Sequence, residues 1–180
     1  MKKVSLLFAL LALSFACSST FAQFSKPQLV AEWQRAKKYT KVYLDAMPED
    51  GYGFKPTPDI RSFAQQMLHL SDVNYFFAGI ASDKPNPAGE TAAAHNVNEK
   101  TVSPKKDAVI KAVMDSYDWA ISTIQNMTPD QLQETIKLFG DEITRGAVFG
   151  KAFEHQTHQR GQTTIYLRLY GITPPAEQLF

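Results

Sequence analysis

The stretch FEHQTHQRGQTTIYLRLYG, residues 153–171, decides the fold class of this 180-residue chain. Its apolar side chains continue a run that starts near Val148 and return at the three- to four-residue spacing of a helix with one buried face. Thr144 is a suitable N-cap, while Gly171 and Pro174 suit a helix end. We therefore predict a last and longest helix between Thr144 and Gly171.

Three more long helical segments precede this one, each bounded by Pro or Gly. The first begins at Ser25 and stops at Pro48, and the third begins at Ser103. The second begins at Ser62, which forms the S-x-x-Q spacing of a capping box with Gln65. Very little of the chain alternates as a strand would, so we expect an all-α four-helix bundle with no sheet beyond a stray two-residue bridge.

The connections between these helices also carry signals. Pro and Gly residues make 49–61 a loop, in which we expect Tyr52 and Phe54 to fold back on the bundle end. Residues 83–102 are rich in Pro, Gly and small side chains, which favours a long crossover loop suited to act as a lid. A second capping-box pattern at residues 128–131 predicts a short extra helix.

The N-terminus has the pattern of a secretory signal. Positive residues 2–3 are followed by an apolar run from Val4 to Ala16 and by small residues up to Ala22. The run is shorter than the roughly 20 residues that cross a bilayer. We expect a signal peptide over 1–22 and one exported, periplasmic or secreted domain over 23–180 that does not span the membrane.

Cys17 allows a different interpretation of the same segment, as the lipid-modified residue of a bacterial lipoprotein. Ser14 stands where such signals usually have Leu, which favours cleavage after Ala22. The processed chain would then have no cysteine, and its stability would come from packing alone.

The charge balance bears on partners. Cleavage would remove Lys2 and Lys3 and no acid, so 17 basic residues would face 18 acidic ones. A near-neutral chain with scattered lysines lacks the basic patch that binds phosphate backbones. We expect an unknown small molecule as partner, with no nucleic acid.

The chain has four histidines, and three lie where predicted helices would face the core. In the last helix, positions three or four apart share a face, so His155, Gln159 or His158, and Gln162 point to one side. A histidine from a second helix, here His69, can complete a metal site between bundle helices.

Other roles remain open for these side chains. A lone histidine on an apolar face, such as His69, is often a hydrogen-bonded core residue. The pair in the last helix could face solvent or support another ligand. His95, in the crossover loop, could be solvated or reach the site from a lid. Arg160 could hold an anionic substrate group or form a surface ion pair with Glu154.

Several of these motifs together resemble the DinB-like (damage-inducible protein, YfiT-like) four-helix bundles over most of residues 23–180. The residues that carry the resemblance are Phe54-Lys55-Pro56, Ser62-Phe63, Leu68-His69, Asp72, His155-Gln156-Thr157-His158-Gln159-Arg160-Gly161-Gln162, Tyr166-Leu167-Arg168 and Gly171-Ile172-Thr173-Pro174-Pro175.

The resemblance implies a metal site. In the family, the second helix gives one histidine ligand and the last helix gives two, which points to His69 and His155 here. The remaining position is Gln159 instead of histidine, so either its carbonyl oxygen or the adjacent His158 would complete the site. The implied cofactor is a divalent ion such as Zn²⁺, Ni²⁺ or Fe²⁺, bound more weakly by a neutral oxygen than by imidazole.

The resemblance also implies a range of activities. Some relatives resemble thiol transferases and thiol-dependent isomerases, and an open metal position can activate water for hydrolysis. Export disfavours the transferase, because low-molecular-weight thiols are mainly cytosolic. The leading hypothesis is a metal-dependent hydrolase or transferase of unknown substrate. The alternative is a non-catalytic bundle with a degenerate metal site, which binds a small molecule or forms a homodimer.

Overall fold

A computed structural model describes residues 25–89 and 96–180. The predicted signal peptide over residues 1–22, which includes Cys17, lies outside these residues, as does His95. The elements in chain order are α1 (Lys26–Ala46), a 3-10 turn (Glu49–Gly51), α2 (Phe63–Ser82), α3 (Val97–Thr101), α4 (Lys106–Asn126), α5 (Pro129–Gln133), β1 (Thr135–Leu138), β2 (Asp141–Thr144) and α6 (Arg145–Leu169).

The four long helices form a bundle in which α2 packs against α4 and α6, and α1 packs against the same two helices. The consecutive helices α1 and α2 therefore lie diagonally across the bundle. This arrangement confirms the all-α prediction. Within the described ranges, no helix is long and apolar enough to cross a membrane.

Local sequence determines where three of the helices begin. The side chains of Ser25, Ser62 and Thr128 each accept a hydrogen bond from the backbone N–H three residues on, and the side-chain oxygen of the glutamine there accepts one from the backbone N–H of the cap residue. These capping boxes satisfy N–H groups that the first helical turn leaves unpaired. The predicted starts of α1, α2 and α5 are confirmed.

The loop between α1 and α2 closes one end of the core, as predicted. Tyr52 is buried, its hydroxyl donates to the carbonyl of Leu44 at 2.8 Å, and its ring meets Phe63 edge-on at 5.1 Å. The carbonyl of Tyr52 also accepts from the N–H of Ala64 at 2.9 Å. These contacts join the end of α1 to the start of α2.

The expectation of no sheet is wrong between α5 and α6, where β1 and β2 pair antiparallel with Ile136 opposite Ile143. Phe139 and Gly140 form the two-residue turn, with φ values of 53° and 100°. Positive φ at both turn positions matches the right-handed twist of a hairpin. The predicted connector is thus a β-hairpin that leads directly into Thr144, the N-cap of α6.

The crossover segment is also more ordered than expected, because α3 lies inside the predicted loop. The following helix begins at Lys106, a few residues after the predicted start at Ser103.

Helices α2 and α6 run antiparallel. Arg145, at the start of α6, donates to the carbonyl of Ala81 at 2.9 Å, and Tyr166, near its end, donates to the carbonyl of Arg61 at 2.9 Å.

Candidate metal centre

The antiparallel pair α2 and α6 brings His69 and His155 together. Their ring centroids are 5.3 Å apart and the rings cross at 70°. Both side chains are partly buried. A tetrahedral ion about 2.1 Å from one nitrogen of each ring would place the two centroids about 5 Å apart. The observed separation therefore fits two imidazole ligands of one ion.

Gln159 lies beside this pair, one helical turn after His155. It is buried, and its Nε2 is 3.0 Å from Nε2 of His155. An amide nitrogen can only donate, so Nε2 of His155 accepts and carries its lone pair on the side of the site. On the other side, the Nε2 of Gln66 donates to the Oε1 of Gln159. The Gln159 oxygen therefore points away from His155.

The same chain of hydrogen bonds continues to the surface. Nε2 of Gln66 also donates to Oε1 of Gln162 at 2.7 Å, and Nε2 of Gln162 lies 2.6 Å from Nε2 of His158. His158 is exposed. Of the two side chains that could complete the site, Gln159 is thus the one that contacts His155, while His158 lies at the solvent end of the chain.

Glu99 is a residue of the site that the sequence did not reveal. Its Oε2 lies 3.7 Å from Nδ1 of His69, and its Oε1 accepts from Nε of Arg61 at 2.9 Å. The 3.7 Å contact is longer than a hydrogen bond, so Glu99 is a nearby negative charge on the Nδ1 side of His69 and leaves Nε2 available to a metal. The same carboxylate is hydrogen-bonded to the guanidinium of Arg61.

A buried acid holds Glu99 in this place. The carboxylate of Asp72 accepts from the backbone N–H of Asn98 at 2.8 Å and of Glu99 at 3.0 Å, which caps α3 from a neighbouring helix. Side-chain amide Nδ2 of Asn98 donates to Ser71 at 3.0 Å. The sequence did contain one signal for α3, since Asn96 and Glu99 have capping-box spacing.

Arg160 belongs to a different environment from the one predicted. Glu154 pairs with Lys151 at 3.2 Å and Arg160 is buried, so the alternative of a surface ion pair between Arg160 and Glu154 is wrong. Arg160 is only 5% exposed, and its guanidinium lies 4.3 Å from the ring centre of Tyr39. Burial lowers the pKa of Arg160 from its ordinary value.

The partners of Arg160 form a polar cluster in the core. Nη1 of Arg160 and the hydroxyl of Tyr117 both donate to Oε1 of Gln156, at 2.9 and 2.7 Å. Tyr117 also contacts the hydroxyl of Thr40 at 2.8 Å, and burial raises its pKa to about 12. Neighbouring faces of α6 thus have separate roles. Gln156 and Arg160 belong to this polar cluster, whereas His155 and Gln159 face α2.

The donor set near the paired histidines is unusual for a metal centre. Within residues 25–89 and 96–180, no three His, Cys, Asp or Glu side chains form a metal-binding group. The groups that remain are two imidazoles and an amide, with Glu99 next to one imidazole. Zinc sites usually have three or four imidazole, thiolate or carboxylate ligands. This set has two such ligands, so it fits a divalent ion that is held more weakly than in those sites.

Comparison with known proteins shows the family to which this chain belongs. The profile of the DinB superfamily matches residues 28–163, and the chain belongs to that superfamily. It is 26% identical over 154 residues to the uncharacterised protein YjoA of Bacillus subtilis strain 168, a match that covers 81% of this chain and 91% of YjoA. YrdA of the same strain, also uncharacterised, is 26% identical over 105 residues, which are 58% of this chain and 54% of YrdA.

Solved structures give the same fold. The crystal structure of the DinB-like protein YjoA from Bacillus subtilis superposes with a TM-score of 0.66 at 20% identity, covering 84% of this chain and 97% of that one. A DinB-like protein from Bacillus cereus ATCC 10987 superposes with a TM-score of 0.71 at 16% identity, covering 84% and 96%. At these identities the likeness concerns the fold alone.

Proposed function

We propose that this protein binds one divalent metal ion between α2 and α6, with His69 and His155 as its imidazole ligands. The observation that carries the proposal is the 5.3 Å separation of the two rings, which suits two ligands of one tetrahedral ion. Zn²⁺, Ni²⁺ and Fe²⁺ accept imidazole together with a neutral oxygen donor.

Gln159 is the third donor in this proposal. It is buried against His155, whereas His158 is exposed and hydrogen-bonded to Gln162. To coordinate through oxygen, the Gln159 amide has to turn over, because its nitrogen now faces His155. This reorientation breaks the hydrogen bond from Gln66 and makes the site weaker than one with a third imidazole.

The proposed activity is that of a metal-dependent hydrolase or transferase. A bound divalent ion with an open position would supply Lewis-acid polarisation and a more acidic bound water or thiol. Glu99 places a negative charge on the Nδ1 side of His69, and Arg61 holds that carboxylate in place. Gln66 and Gln162 present amide groups beside the paired histidines and can orient polar atoms of a small substrate.

The second candidate is a non-catalytic bundle that binds a small molecule or pairs with its own copy. The orientation of the Gln159 amide supports it, because a donor N–H faces His155 where a metal ligand would present a lone pair. In that case the hydrogen bonds among Gln66, Gln159 and Gln162, called the glutamine chain below, form a structural network between α2 and α6.

Metal titration tests the choice between these two functions. We expect zinc, added to purified metal-free protein and followed by calorimetry, to bind with one-to-one stoichiometry. The His69→Ala variant should lose this binding, and His158→Ala, which removes an exposed histidine instead, should retain it. Equal zinc binding by the parent and His69→Ala would exclude this site and leave the non-catalytic bundle.

Export is a separate part of the proposal, and the signal pattern of residues 1–22 supports it. Mass spectrometry of protein recovered from the periplasm or medium should find an N-terminus at Gln23. A diacylglyceryl group on Cys17 would show a lipoprotein instead.

A further inference from the structure

An open groove of about 570 Å³ lies beside the paired histidines, and it shares Gln66, Glu99 and Gln162 with their surroundings. This volume is in the range of about 300–1,000 Å³ typical of sites for small molecules. The remaining lining residues come from the loop before α2 and from the end of α6, namely Pro56, Asp59, Ile60, Arg61, Ile165 and Tyr166.

Among the described residues that line this groove, Arg61 is the one cation. Its Nε donates to Glu99, while its two terminal amino groups make no hydrogen bond within residues 25–89 and 96–180. The hydroxyl of Tyr166 donates to the backbone carbonyl of Arg61 at 2.9 Å and fixes this part of the loop. Two guanidinium amino groups on an anchored backbone suit an oxyanion such as a carboxylate.

The anchor lies close to the paired histidines. The carboxylate of Glu99 contacts Arg61 with one oxygen and approaches Nδ1 of His69 with the other, at 2.9 and 3.7 Å. An acid held by the terminal amino groups of Arg61 is thus separated from His69 by the guanidinium and the carboxylate of Glu99.

The walls of the groove indicate the rest of the ligand. Ile60 and Ile165 are 40% and 53% exposed, which leaves apolar surface available for contact. The amides of Gln66 and Gln162 line the same groove and can pair with a polar group such as an amide. The walls therefore suit a molecule with an apolar body and an internal polar group.

The charges that line the groove make the binding of an acid depend on the metal. Among the described lining residues Asp59 and Glu99 outnumber Arg61, so this lining alone is negative. A divalent cation between His69 and His155 would reverse this sign and attract an anion. By reciprocity, the acid would strengthen metal binding by the same factor.

We infer that this groove binds a small carboxylic acid with an apolar body, with Arg61 holding the carboxylate next to the site of His69 and His155. The inference rests on the proposed function and names the substrate class of that site.

N-acetyl-L-leucine is a suitable probe, because it combines a carboxylate, an amide and a branched apolar side chain. N-acetyl-L-leucinamide is its uncharged match. Calorimetry with zinc-loaded and metal-free protein should show that the acid binds more tightly than the amide, and more tightly with zinc than without. The Arg61→Gln variant should weaken acid binding at least about tenfold and leave amide binding unchanged.

Two controls separate a direct role of Arg61 from other effects. Lys137→Gln removes one positive charge from an exposed position on β1 and should change neither affinity. Arg61→Lys keeps the charge without the paired amino groups and should recover part of the acid affinity. Thermal unfolding of each variant verifies that it is folded.

The titrations distinguish a wrong assignment of the groove from a wrong assignment of the metal site. If zinc binds but Arg61→Gln leaves acid binding unchanged, the groove inference is wrong and the metal site stands. If zinc does not bind, the proposed metal function is wrong, and the metal-free titrations decide the groove. There, an Arg61-dependent preference for the acid over the amide supports the inference, and equal affinities overturn it.

Discussion

The amide nitrogen of Gln159 lies 3.0 Å from Nε2 of His155, one turn away on the same face of α6. A donor N–H therefore points at the lone pair that would bind a metal. A cation at this place would compete with that hydrogen bond. The affinity of the proposed site would thus depend on what residue 159 presents to His155.

Replacing Gln159 with histidine should strengthen zinc binding roughly 10- to 100-fold, the scale of one supporting interaction at a metal site. An imidazole four residues after His155 shares its helix face and needs no reversal of an amide. Competition with a chromophoric chelator would measure the change. The gain should vanish when His69→Ala is added, and a gain that survives that change would place the metal elsewhere.

The Gln66→Leu variant should bind zinc a few-fold more tightly than the parent. Gln66 donates to the oxygens of Gln159 and Gln162, so its removal frees the Gln159 oxygen for coordination. Two hydrogen bonds disappear, at about 1 kcal/mol each, and the added burial of a Leu side chain offsets part of that loss. Weaker zinc binding in the folded variant would show that Gln66 supports the site instead of competing with it.

Asp72→Asn should loosen α3 and displace Glu99. The carboxylate of Asp72 accepts from two backbone N–H groups, and a neutral amide offers one oxygen and no charge. We expect a loss of about 1–3 kcal/mol in the free energy of unfolding and faster hydrogen exchange at residues 98 and 99. Asp115→Asn, which affects a surface ion pair with Lys111, is the matched control. Unchanged exchange in α3 would contradict the role of Asp72.

Alkaline pH should destabilise the protein, and Tyr117 should account for part of this loss of stability. Its pKa is about 12 in the folded chain, and an unfolded tyrosine ionises near 10. Unfolding therefore releases a proton between these values, and stability present below pH 10 is lost as pH rises toward 12. A shift of this size corresponds to about 2–3 kcal/mol.

The Tyr117→Phe variant isolates this effect. It should be less stable at neutral pH by about 1–2 kcal/mol, because Gln156 and Thr40 lose a partner. Its stability should then fall less steeply than that of the parent above pH 10. Denaturant unfolding across this range measures both, and parallel curves would assign the alkaline loss to other groups.

The parts of the fold that depend on neighbouring residues could be predicted from the sequence. Capping boxes at Ser62 and Thr128 act within one helical turn, so their pattern is visible without a structure. The convergence of His69 and His155 follows from helical periodicity together with a bundle fold. Whether they bind a metal stays a prediction.

The parts of the fold and the site that depend on contacts between distant residues could not be predicted from the sequence. Asp72 and Glu99 are linked only because the crossover segment returns to α2, and no local pattern contains that path. Arg160 looks like a surface residue because arginine is rarely buried, but Gln156 and the ring of Tyr39 accommodate it. The strands of the hairpin are only four residues long, too short for a clear alternation of apolar and polar residues.

The hydrogen bonds of the glutamine chain have a defined donor-to-acceptor direction, and they connect the buried His155 side to the surface. Gln66 is its central donor, and the bonds run outward through Gln159 to His155 and through Gln162 to His158. Turning the Gln159 oxygen toward a cation presents its N–H to Gln66, which then has to offer oxygen. Gln162 turns as well, and its oxygen then faces Nε2 of His158, which must carry a proton. If the proposed cation binds, the tautomer of the exposed His158, read by nitrogen NMR, would therefore change with the occupancy of the buried end.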